Sequence, residues 1–146
     1  MNTEDTLKIL LVEDEPADAH LVRMAFKEGH VLADIDHVQD GVEGFAYLRG
    51  EPPFSAGQRP DIILLDLNMP RMDGRQFLQQ IKADEDLRSI PILVLTTSDA
   101  ERDLVASYTQ GAAGYIVKPL EVDDFIRIVR GIGQYWISIA RLPGRN

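Results

Sequence analysis

The sequence contains no cysteine, so disulfides and thiolate metal sites are excluded. No apolar run approaches the roughly 20 residues needed to span a bilayer. The first residues, Met1-Asn2-Thr3-Glu4-Asp5-Thr6, are polar and acidic and have no secretory character. Basic residues are outnumbered: 15 Lys+Arg stand against 24 Asp+Glu, for a net charge of -9. Sequence-independent DNA binding runs on Lys and Arg neutralising phosphates, so so acidic a chain is a poor candidate for it. What is there is 146 residues, 45% hydrophobic and 27% charged, the size and balance of one soluble domain. The expectation is a cytoplasmic domain whose partner is a protein or a small molecule, with neither DNA nor membrane involved.

The acid is unevenly placed. From Val122 onward there are two acids and four arginines, Arg127, Arg130, Arg141 and Arg145. Arginines spaced in this way read as the solvated face of a helix rather than as a nucleic-acid arm.

Short apolar runs alternate with longer amphipathic ones. Leu7 to Val12 is nearly all apolar, as in a strand buried on both faces of a parallel sheet. Pro16 suits the first turn of a helix whose inner face is Leu21, Val22, Ala25 and Phe26, and Gly29 is the expected stop. Ala33 to Val38 alternates as a weaker strand, and Gly41 to Arg49 is a short helix. Glu51 to Pro60, with three prolines and a glycine, is a loop. Ile62 to Leu65 is a third strand ending in Asp66, followed by a turn through Pro70 to Gly74 and a helix with Phe77, Leu78 and Ile81 inside. Ile92 to Leu95 is a fourth strand, and a helix through Leu104, Val105 and Tyr108 follows. Gly114 to Val117 is a fifth strand, and the last helix runs from about Val122 to Arg141. Strict alternation predicts an α/β fold with a parallel sheet covered by helices on both faces.

In such sheets ligands bind beyond the carboxyl ends of the strands. Those positions hold Glu13 and Asp14, Asp66, Thr96, and Lys118 before Pro119. Crowded carboxylates repel and are best tolerated when a cation bridges them. Hard oxygen ligands without His or Cys suit Mg²⁺. The lysine can meet a phosphoryl oxygen as a point charge, the threonine can donate to another, and a carboxylate can act as nucleophile. A lone strand-end Asp is more often a helix cap or turn former, the reading given to Asp40, Asp73 and Asp99. His20, His30 and His37 lack metal-site spacing and read as exposed or partly buried. Gly111-Ala112-Ala113-Gly114 precedes a strand and is no phosphate loop.

Four segments carry a resemblance: Leu10-Leu11-Val12-Glu13-Asp14-Glu15, the run from Leu64 through Asp66 to Asp73-Gly74, Val94-Leu95-Thr96-Thr97, and Gly114-Tyr115-Ile116-Val117-Lys118-Pro119. In order and spacing they resemble the receiver domain of two-component response regulators. The resemblance implies a flavodoxin-like sheet of five strands in the order 2-1-3-4-5 with five alternating helices and an extended last helix. It implies one receiver domain over 7–141, with tails 1–6 and 142–146 and no output domain. Asp66 would accept a phosphoryl group from a histidine kinase. Glu13, Asp14, Asp66 and the backbone carbonyl of Asn68 would hold Mg²⁺. Lys118 would pair with the phosphoryl group, Thr96 would move onto it, and Tyr115 would turn inward behind. The switched surface would comprise the fourth helix, fifth strand and fifth helix.

Within the family the chain is similar to the stand-alone regulators of phytochrome-type histidine kinases, through Thr96-Thr97-Ser98, the loop from Glu51 to Pro60, and Tyr135-Trp136 in the last helix. A homodimer through the switched surface with Tyr135 and Trp136 is expected, since aromatic residues with arginines are common in interface cores. Two departures stand out: Glu13 where the family more often has Asp, and Thr97 where a smaller residue is usual. Haloacid-dehalogenase-type phosphatases share a strand-end Asp and Mg²⁺ but need a second Asp two residues on. Asn68 stands there, and its amide transfers no proton at neutral pH. A signalling protein rather than an enzyme is the expectation, with a receiver that has lost phosphorylation, or a relay passing the group onward, as the other readings.

Overall fold

A computed structural model describes residues 6–52, 54, 59–67, 74–96, 114–117 and 122–140. Five parallel strands form one sheet: β1 (Leu7–Val12), β2 (Ala33–Val38), β3 (Ile62–Asp66), β4 (Ile92–Thr96) and β5 (Gly114–Val117), in the order β2-β1-β3-β4-β5. Four helices lie among the described residues: α1 (Pro16–Glu28), α2 (Gly41–Arg49), α3 (Gly74–Ala83) and α4 (Val122–Ala140). The expected helix through Leu104, Val105 and Tyr108 falls outside them, as do Asp73, Asp99 and Arg141.

The pleat explains why β1 reads as a continuous apolar run. Side chains alternate between faces with a period of two. Leu10 and Val12 enter one core with Ile63, Leu65, Ile92 and Val94, closed by Phe45 of α2 and by Phe77, Leu78 and Ile81 of α3. Leu7, Ile9 and Leu11 enter the other with Leu64 and Leu95, closed by Val22, Ala25 and Phe26 of α1 and by Phe125 and Val129 of α4. From Ile9 to Val12 both faces of the strand are dry, so neither set of positions there is polar, and Lys8 alone is half-buried. Right-handed crossovers produce this split. The chain moves from β1 outward to β2, then reverses across β1 to β3, which sends α2 and α3 to the face opposite α1.

Edge strand β2 is half-buried along most of its length. Tyr47 of α2 ties it down, donating its hydroxyl to Asp36 at 2.6 Å. Burial first, and the Asp36 carboxylate second, push the Tyr47 phenol well above its ordinary pKa. Asp40 caps α2 as expected, its Oδ1 accepting from the Glu43 amide at 3.0 Å. Arg127 and Arg130 of α4 are exposed, in keeping with a solvated face. The backbone of α4 carries Tyr135 and Trp136, but their side chains lie outside what is described.

α1 stops at Glu28 with Gly29 as its cap, as expected, but Gly29 is not left-handed, its φ being -79°. The left-handed place belongs to His30, at φ 57°. The amide of Val31 donates to the Phe26 carbonyl at 3.0 Å and that of His30 to Lys27 at 3.1 Å, the paired bonds of a Schellman cap. Gly29 is small for a different reason: a Cβ there would lie 3.0 Å from the Ala25 carbonyl oxygen and 3.2 Å from Cγ1 of Val129. A left-handed L-residue costs about 1–2 kcal/mol, and glycine's extra unfolded-state entropy offsets about 0.4–1 of it. His30→Gly should therefore raise unfolding stability by about 0.5–1 kcal/mol in urea titration.

Candidate functional site

The reversal of strand order places β1 and β3 side by side, with Val12 opposite Leu65. Their next residues, Glu13 and Asp66, therefore emerge together at the carboxyl rim, at the crevice where open α/β sheets bind ligands. Oxygen atoms of Glu13, Asp14 and Asp66 all lie within 4.8 Å of one another. Glu13 is 0% exposed and Asp66 3%, whereas Asp14 faces solvent. Part of the Glu13 charge is met locally, since its Oε2 accepts from the Glu15 amide at 3.3 Å.

Buried carboxylates are costly in a low-dielectric surround, and adjacent ones add mutual repulsion. The donor set is all oxygen, with two of its acids buried and the third, Asp14, exposed. Such a set fits a hard divalent cation that keeps part of its water shell, as Mg²⁺ does. It does not fit a soft or imidazole-bound metal.

Of the other expected residues, Thr96 closes β4 and Tyr115 lies within β5, each placed by its backbone. β4 lies next to β3, with Leu95 opposite Asp66, so the Thr96 backbone follows directly on the neighbour of the buried carboxylate. Asn68 and Lys118 lie outside the described residues. His20 and His30 are exposed and His37 is half-buried, as read from the sequence.

The sequence reading missed what holds Asp66 in place. Leu67, fully buried, donates its amide to Leu95 at 3.3 Å and accepts from the Gly74 amide at 3.0 Å. The first residue of α3 is thereby seated on the backbone of the candidate nucleophile. A Cβ on Gly74 would fall 2.4 Å from the Asp66 carbonyl oxygen and 2.5 Å from the Leu67 Cα. Both are backbone atoms that no side-chain rotation can move. Gly74 appeared in the sequence only as the end of a turn; its use is a close approach between non-neighbouring backbones. Gly74→Ala should lower unfolding stability by about 1–3 kcal/mol, as overpacking does, read by urea titration.

The geometry agrees with comparisons to known proteins. Residues 9–130 match the family model of the response regulator receiver domain. The response regulator Rcp1 of Synechocystis is 39% identical over 135 residues, covering 92% of each chain. Its Mn²⁺-bound crystal structure superposes with a TM-score of 0.77 at 38% identity, covering 94% of this chain and 99% of that one. The phosphorylated cyanobacterial phytochrome response regulator RcpA superposes with a TM-score of 0.79 at 43% identity, covering 95% of this chain and 99% of that one. The bacteriophytochrome response regulator RtBRR gives 0.78 at 37% identity, over 86% of this chain and 78% of that one. No helix among the described residues is long and apolar enough to cross a membrane. A parallel five-stranded sheet carrying an acidic cluster at its switch point, matched over most of its length by these proteins, belongs to the response regulator receiver family.

Proposed function

We propose that this chain is a phosphorylation-dependent signalling switch that receives its phosphoryl group on Asp66 from a phytochrome-type histidine kinase. The observation that carries the reading is the buried Asp66 carboxylate, at the strand end, within 4.8 Å of two further acids. An oxygen of Asp66 attacks the phosphorus of a phosphohistidine. The P–N bond breaks, and the imidazole leaves with its electron pair. Asp66 ends as an acyl phosphate.

Glu13, Asp14 and Asp66, with the carbonyl of Asn68, would hold Mg²⁺. The cation supplies charge neutralisation for the phosphoryl oxygens. The chain's own part is positioning and electrostatics, which is most of what phosphoryl transfer requires. The backbone bonds of Leu67 to Leu95 and Gly74 anchor the chain directly after Asp66. Lys118 is assigned to a phosphoryl oxygen, Thr96 to a second, and Tyr115 to the space that Thr96 vacates. The output is a population shift in the surface formed by the segment around Leu104–Tyr108, β5 and α4. A homodimer through that surface, with Tyr135 and Trp136 in its core, completes the proposal. The phytochrome assignment is supported by the regulators RcpA and RtBRR, matched over most of this chain.

Intact mass after incubation with acetyl phosphate and Mg²⁺ tests the reading, with Asp66→Asn as control. One added phosphoryl group on the wild type and none on the variant is the expected result. Equal labelling of both would place the acceptor elsewhere. A wild type unmodified by both acetyl phosphate and a phosphorylated phytochrome-type kinase would overturn the switch.

A further inference from the structure

Glu13 is gripped by β2 at both ends of its main chain. Its amide donates to the Val38 carbonyl at 3.0 Å. Its carbonyl is met by Nε2 of His37 at 2.6 Å. The first bond is ordinary sheet pairing, extended one residue beyond the last ladder pair, Val12 with Val38. The second is not. A carbonyl oxygen only accepts, so Nε2 carries the proton.

The reason for a side chain here lies in the path of β2. After Val38 the chain turns into α2, and its backbone is engaged by that helix. The Gln39 amide donates to Glu43 Oε1 at 3.0 Å, while Asp40 caps the first turn. A buried carbonyl needs a partner. At Glu13 the imidazole of the preceding β2 residue provides one.

We propose that His37 is a positioning residue for the acidic site. By holding the Glu13 carbonyl, it fixes the peptide plane between Glu13 and Asp14. That plane determines where the two consecutive carboxylates point: Glu13 into the buried crevice, Asp14 toward solvent at its mouth. His37 touches neither cation nor phosphoryl group and acts through backbone alone. The inference rests on the reading of Glu13, Asp14 and Asp66 as a divalent-cation site. Outer contacts that orient metal ligands are commonly worth about 10–100-fold in affinity.

Glutamine carries an amide donor as many bonds from Cα as the imidazole Nε2, whereas asparagine is one bond too short. Mn²⁺ is the probe, its free concentration read by electron paramagnetic resonance during titration of the full chain. Thermal unfolding in EDTA runs in parallel and reports the fold without the cation. His37→Ala and His37→Asn should each weaken Mn²⁺ binding about tenfold. His37→Gln should restore it. Alanine and asparagine variants that bind as tightly as wild type overturn the proposal, as does a folded glutamine variant as weak as alanine. Loss of binding in proportion to lost unfolding stability across all three variants assigns His37 a structural role only and also overturns it. A wild type that binds no Mn²⁺ overturns the cation reading itself, a failure visible without any substitution.

Discussion

The structure depends on one electrostatic constraint: three carboxylates share a space less than 5 Å across, and two of them are shut away from water. In water such groups would separate. Here the two strands that carry them are neighbours in the sheet, and the apolar runs of those strands are almost wholly buried. Burial of those runs on both faces holds the acids together against their repulsion. A cation entering a site of this kind relieves that repulsion. On the proposed reading, that is the physical basis on which a small domain binds a cation and offers a nucleophile.

The supports around the cluster are backbone devices. α3 begins on a glycine because only a residue without Cβ fits against the Asp66 and Leu67 main chain. β2 grips Glu13 at its amide and its carbonyl. Both keep the acids near fixed positions without adding charge to the site. Each also joins the site to a neighbouring element: α3 to Asp66, and β2 to Glu13. Movement of either element would shift the acids.

Much of this was legible in the sequence. Strand and helix positions followed from periodicity, and strand ends marked the site before any motif was considered. Glu13, Asp14 and Asp66 converge as read. The features that escaped are those fixed by distant partners. Nothing local distinguishes Gly29, small because Val129 lies against it, from a glycine chosen for a left-handed cap. His30 takes that cap although its type does not announce it. Gly74 looks like turn punctuation because its clash is with backbone seven and eight residues away. By its spacing His37 reads only as an exposed or partly buried histidine; its contact with the Glu13 carbonyl arises from pairing across the sheet, which spacing within one strand cannot reveal.

The central claim is that the three clustered carboxylates repel one another at the rim and that a divalent cation relieves the repulsion. Thermal unfolding of wild type and Asp14→Asn, each in EDTA and in Mg²⁺, tests it most directly. Asp14→Asn removes one charge from the exposed mouth of the cluster and leaves the two buried acids in place. The account predicts that the variant is the more stable protein in EDTA. Mg²⁺ should raise the unfolding temperature of wild type and have little effect on the variant. A variant less stable than wild type in EDTA, with equal Mg²⁺ shifts in both proteins, would contradict it.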